Sequence, residues 1–150
     1  MIIKIFLYLH IAAGTIGLIL GPISMYLPKK RGLHSIIGKY YFYFMALVCL
    51  SSVPLSITHW EKNWWFIFVA LFSFKFAWKG YQAAKNRKED WLKKHISGML
   101  GSYIAMVTAL LVVNSGTLNN ALNLPLFFCW ILPTIIGTPL IRAVIRKHVQ

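Results

Sequence analysis

Acidic residues are close to missing from this sequence: Glu61, Glu89 and Asp90 are the only ones, against sixteen Lys and Arg. All three stand outside the long apolar runs. Paired-carboxylate acid–base chemistry inside a membrane is thereby excluded, and so is a proton pump gated by a carboxylate. Cysteine is scarcer still. Cys49 and Cys129 each sit inside an apolar run, with no CxxC spacing and no disulfide framework, and they read as small buried hydrophobes. No phosphate-binding glycine loop, GxSxG or HExxH is present, and no internal repeat or low-complexity stretch. Charged residues of both signs amount to 13%, where a soluble domain carries about 25%.

What the chain does have is apolar residues, 58% of the total. They fall in five runs, at residues 2–20 (with an extension toward Leu27 left open), 36–57, 64–84, 96–113 and 124–141. Each approaches the ~20 residues a helix needs to cross a bilayer core of ~30 Å. A helix satisfies its own backbone polar groups in lipid. The runs are continuous rather than alternating, which argues against a barrel. The fold class expected is all-α: an integral membrane bundle of five transmembrane helices, forming one domain over residues 1–150. Residues 1–13 have the apolar character of a signal peptide. Their basic flank is Lys4 alone and no clear cleavage site follows, so they read as a retained first span.

The formal charge is +13. Nucleic-acid binding would need a soluble basic face, whereas these basic residues stand in short blocks between apolar runs. Lys29, Lys30, Arg31 and Lys39 form one block, Lys85, Arg87, Lys88, Lys93 and Lys94 a second, and Arg142, Arg146 and Lys147 a third. Five spans with the N-terminus outside place all three blocks, and the C-terminus, in the cytoplasm, as the positive-inside rule requires. An even number of spans would strand one block. The setting expected is a bacterial cytoplasmic (inner) membrane, with the anionic cytoplasmic leaflet as partner, no nucleic acid, and a homo-oligomer or membrane-protein partner left open. Trp60, Trp64 and Trp65 at one boundary and Tyr40, Tyr41, Tyr81 and Trp91 at the other suit aromatic belts. Residues 114–123 read as a turn, and Pro133, Gly137 and Pro139 predict a kink in the fifth helix.

Histidines and one lysine carry the candidate chemistry. His10, Gly14, Gly17 and Gly21 share one face of the first helix. Small residues on such a face let a neighbour approach, so His10 faces the bundle, roughly 12 Å in from Ile2 at 1.5 Å per residue. It reads as a metal or haem ligand, as a proton carrier, or as a neutral imidazole bonded to another helix. His34 precedes the second span and His95 the fourth, at one depth near the cytoplasmic boundary. Two such imidazoles on neighbouring helices can clamp a haem iron or help bind a transition metal; they can also contact lipid phosphate. His59 and His148 read as solvent-facing.

His10 reaches the level of His34 and His95 only if the first helix breaks at Gly21–Pro22. Otherwise there are two layers, the middle one grouping His10, Cys49, Lys75 and Met106. Lys75 lies near mid-span with no carboxylate to pair it. It must snorkel as Lys79 does, lose its proton, or meet an anionic group such as a haem propionate, a quinone oxygen or a lipid headgroup. The leading functional reading is a redox or electron-transfer protein. In it His34 and His95, with His10 left open, hold haem b or a transition metal, and Lys75 or Arg31 neutralises propionates. A non-enzymatic assembly factor, subunit or scaffold is the alternative, and a dimeric small-solute transporter the third.

The stretches LHIAAGTIGLILGP at 9–22, GLHSIIGKYY at 32–41 and 79–99, ending KKHISGM, together resemble a bacterial family of small polytopic membrane proteins known as a domain of unknown function. The family pattern has a first-span His before Gly-Pro, an L-H-x-x-x-G-[KR]-x-Y motif and a fourth-span His-x-x-x-Met. It matches His10, Gly21, Pro22, His34, Gly38, Lys39, Tyr41, His95 and Met99. The resemblance spans about two thirds of the chain. It implies a helical membrane protein and no particular activity.

Overall fold

The computed structural model describes residues 1–28 and 32–149. Among them are seven helices and no strand: α1 (Ile2–Tyr26), α2 (Leu33–Thr58), α3 (Trp60–Asn63), α4 (Trp65–Asn86), α5 (Trp91–Val113), α6 (Ser115–Leu122) and α7 (Leu126–Val149). Four of them, α1, α2, α5 and α7, are long and apolar enough to cross a membrane. The expected third span, α4, is 22 residues long but is not one of the four. Lys75 and Lys79 interrupt its apolar run.

The long helices pack in succession, α1 on α2, α2 on α4, α4 on α5 and α5 on α7, and α1 also touches α5. The result is a ring of α1, α2, α4 and α5 with α7 set against the outside of α5. Successive long helices run antiparallel, as the His10–Ser51 and His34–Ser24 contacts show for α1 and α2. The α1–α2 and α4–α5 links and the end of α7 therefore share one end of the bundle, while α3 and α6 sit at the other.

The packing is the reverse of a water-soluble protein's. The residues of α4 that turn inward are small: Ala70, Ser73, Ala77 and Gly80. Those of α5 include Gly98 and Ser102. Large apolar side chains point out instead: Phe68 is 64% exposed, Leu71 61% and Ile135 64%. Small residues let helix backbones approach when lipid, as apolar as any side chain, gives no hydrophobic drive between helices. Helix backbones meet at Gly80 and Gly98, where a Cβ added to Gly98 would stand 2.6 Å from the Gly80 backbone and from the Phe76 carbonyl. A modest core of Tyr41, Phe42, Met45, Cys49, Ala70, Ala77 and Met106 fills the ring. In it Phe42 stacks on Tyr81 with ring centres 4.4 Å apart. Both cysteines are buried and free.

Helix ends depart from the apolar runs in both directions. Hydropathy marks where a helix meets hydrocarbon, not where its hydrogen bonds stop. Accordingly α5 begins at Trp91, before its run, and α7 extends through the basic residues to Val149. α1 runs unbroken through Pro22 to Tyr26, and α7 is helical across Pro133, Gly137 and Pro139. Residues 114–123, expected as a turn, hold α6. Its last turn closes where Asn123 adopts a left-handed conformation and its N–H donates to the Asn119 carbonyl. α2 opens at Gly32, whose φ of 125° suits glycine. The α4–α5 reversal uses two left-handed residues, Arg87 and Asp90, with the Arg87 guanidinium 5.2 Å from the Trp91 ring centre.

Candidate functional site

His34 and His95 meet. Their rings lie edge to face with centres 6.3 Å apart, at the bundle end shared by the α1–α2 and α4–α5 links. Each imidazole is held by a different helix. The Nδ1–H of His34 donates to the Ser24 carbonyl of α1 at 2.9 Å, and the Nδ1–H of His95 donates to the Gly80 carbonyl of α4 at 2.9 Å. A carbonyl only accepts, so Nδ1 carries a proton in both residues. A backbone carbonyl on one nitrogen, orienting the other, is the usual outer support of a metal-ligating histidine.

Local sequence explains both contacts. Ser24 lies in the last turn of α1, and the residue four further on is Pro28, which has no N–H to give its carbonyl. His34 supplies the missing donor. His95 reaches Gly80 because the Gly80–Gly98 crossing brings α5 onto α4 one turn away. Beside the pair, Gly38 lies against Ser24: a Cβ there would meet the Ser24 Oγ at 3.8 Å. One layer further in, the Tyr41 hydroxyl donates to Ser102 Oγ at 2.9 Å, while Ser102 donates to the Met99 carbonyl at 2.8 Å. The Tyr103 hydroxyl donates to the Leu18 carbonyl at 3.2 Å. Four helices thus converge on the histidine pair, α2 and α5 through the imidazoles and α1 and α4 through backbone carbonyls.

His10 is elsewhere. Its Nδ1–H donates to Ser51 Oγ at 3.0 Å and to the Val48 carbonyl at 3.2 Å. Ser51 passes its own proton to the Leu47 carbonyl at 2.7 Å. Residues 34 and 48 stand roughly 20 Å apart along α2 at 1.5 Å per residue. With α1 unbroken at Pro22, His10 and the His34–His95 pair form two separate layers. Lys75 does not join the middle layer. It is exposed and lies roughly opposite the Ala70, Ser73, Ala77 and Gly80 face of α4, at 3.6 residues per turn. Cys49 and Met106 belong to the core. His59 and His148 are exposed. Arg31 falls outside the described residues, as do Lys29 and Lys30. Among the described residues no three His, Cys, Asp or Glu side chains gather as a metal cluster would.

Sequence reasoning missed the groups that hold the histidines: Ser24, Gly80, Ser51 and Val48. Two signals were available. Pro28 four residues after Ser24 marks an orphan carbonyl. The small residues at 70, 73, 77 and 80 mark the face of α4 that receives α5, and place Lys75 on the other side.

The inverted packing and the apolar helices define a multi-pass membrane protein, with a histidine pair at one end of its bundle. The chain belongs to a family described as a predicted membrane protein (DUF2306), whose model matches residues 7–141. No curated protein and no solved structure matches it.

Proposed function

We propose that this membrane protein is a cofactor-binding redox protein in which His34 and His95 ligate one metal centre through Nε2. The observation that carries the reading is their 6.3 Å ring separation with both Nδ1 atoms committed to backbone carbonyls. At that separation both imidazoles would lie within reach of one metal, given metal–nitrogen bonds of about 2.0–2.1 Å. Haem b is the centre that two histidines complete, because the porphyrin supplies the four remaining nitrogens. A bare transition-metal ion would need further ligands, since among the described residues no third His, Cys, Asp or Glu joins the pair.

The reading includes five membrane crossings, with α4 among them, in a bacterial inner membrane. Support for α4 comes from its place in the ring between α2 and α5. The orientation, N-terminus outside and C-terminus in the cytoplasm, draws support from the basic residues of the α4–α5 link and the end of α7, which share one end.

A second reading is a non-enzymatic assembly factor, subunit or scaffold. It is favoured by His10, His34 and His95 all using Nδ1 to tie one helix to another. One experiment separates the two. Protein purified from haem-supplied cells is examined by optical spectroscopy and metal analysis, beside His34→Asn and His95→Asn. Asparagine keeps a donor near the Nδ1 position and removes Nε2. The redox reading expects a Soret band or one metal per chain, lost in either variant while the fold remains. Protein with neither band nor stoichiometric metal overturns it and leaves the structural reading.

A further inference from the structure

We propose that the outward face of α4 binds an anionic phospholipid through Lys75 and Lys79. A hollow of about 180 Å³ opens there, lined by Phe72, Lys75, Phe76 and Lys79. Its aromatic wall is set in place. The Phe72 and Phe76 rings meet edge to face with centres 4.6 Å apart, and Phe76 lies against α5 at Gly101, where a Cβ would stand 3.0 Å from the ring. Both lysines are exposed on this face, one turn apart.

The two ammonium groups need a counter-charge that α4 does not supply, since the chain's three acids stand at 61, 89 and 90. Lys79 lies roughly 10 Å along the helix from Asn86 and Lys75 roughly 16 Å, by helix rise. A lysine stem can carry Lys79 toward the polar boundary. Lys75 lies a turn deeper, so an anion brought to the hollow neutralises both where one stem cannot. The surrounding residues identify the anion's carrier. The helix-contacting face of α4 is small, at Ala70, Ser73, Ala77 and Gly80. The lysine face carries Phe68, Leu71 and Phe72, all more than half exposed, and large residues of this kind meet acyl chains rather than a neighbouring helix. A phosphodiester between the ammonium groups, with its acyl chains along Phe72 and Phe68, satisfies charge and apolar surface together.

The test is native mass spectrometry of purified protein equilibrated with mixed phosphatidylglycerol and phosphatidylcholine micelles. The expected result is retained phosphatidylglycerol in preference to phosphatidylcholine. Lys75→Gln with Lys79→Gln should weaken that retention on the order of tenfold. The corresponding pair of Arg substitutions should keep it, and Lys85→Gln, on the same helix but outside the hollow, should leave it unchanged. If the double Gln variant fails to fold, each single Gln variant gives the same reading with a smaller loss. Equal retention of the two lipids, indifference to the Gln substitutions, or displacement by inorganic phosphate would overturn the proposal. So would a stoichiometric protein partner lost on Lys75→Gln. The readout is a lipid count, so it stands or falls apart from any centre at His34 and His95.

Discussion

The hydroxyl of Tyr103 on α5 donates to the carbonyl of Leu18 on α1 at 3.2 Å, and Leu18 is the residue whose helical partner would have been the N–H of Pro22. A proline inside a helix removes that donor and leaves the carbonyl four residues back without it. In lipid no water is at hand to replace it. Tyr103 does so from a neighbouring helix, and its ring occupies the space that a side chain on Gly21 would need. Gly21, Pro22 and Tyr103 therefore work as one device fastening α1 to α5.

That device predicts a coupling. Tyr103→Phe should cost about 0.5–1.5 kcal/mol, the net worth of one hydrogen bond, read from unfolding midpoints in denaturing detergent. In a Pro22→Ala background the backbone N–H returns to Leu18, and the same substitution should cost distinctly less. A double-mutant cycle measures the difference. Equal costs in the two backgrounds would show that the hydroxyl does not stand in for the missing N–H.

The crossing of α4 and α5 should tolerate no side chain. Gly80→Ala would drive its Cβ to 2.7 Å from the Met99 nitrogen, and Gly98→Ala would meet Gly80 at 2.6 Å. These are backbone contacts, which yield only by parting the helices. Each change should destabilise by about 1–3 kcal/mol, the usual range for overpacking, and pull His95 away from the Gly80 carbonyl. Gly116→Ala is the control: nothing lies within 4 Å of its added Cβ, and helix propensity favours alanine by up to about 1 kcal/mol. Thermal unfolding of the three variants ranks them; comparable midpoints would refute the backbone contact.

Tyr41 and Ser102 should respond unequally. Ser102 gives its proton to Met99 and accepts the one from Tyr41. Tyr41→Phe removes a donor and leaves the Ser102–Met99 bond in place. Ser102→Ala strands a Tyr41 hydroxyl in a residue only 3% exposed, at a cost of about 1–3 kcal/mol for an unsatisfied buried group. Unfolding should therefore show the serine variant as the weaker of the two. The reverse order would mean that the hydroxyl finds another acceptor.

Much of this arrangement is written in local sequence. The apolar runs locate the long helices, and the Gly14, Gly17 and Gly21 stripe turns His10 toward a neighbour. The placement of His34 and His95 at the starts of two helices anticipates their meeting. What the pattern does not carry is register between helices. That Gly80 rather than an adjacent residue receives His95 depends on where two glycines cross, and that Tyr103 reaches Leu18 depends on a contact between residues 85 positions apart. Lys75 is a different case: its outward position follows from the small residues on the opposite face of α4, a signal present in the sequence but weaker than the rarity of a mid-span charge. α6 escaped because six of its eight residues are polar or small, and such a stretch between two asparagines suits a turn as well as a short helix.

The two histidine layers yield the last prediction. His10 bridges Ser51 and Val48, far along α2 from His34. His10→Ala should lower stability by an amount near the ~0.6 kcal/mol average for hydrogen bonds between membrane helices. Ser51→Ala in the same chain should add less than it does alone, since the two share one bond. Any haem or metal content attributable to His34 and His95 should be untouched by either change. A spectrum or metal ratio that vanished with His10→Ala, in protein that remained folded, would place all three histidines in one centre and contradict the separation seen along α2.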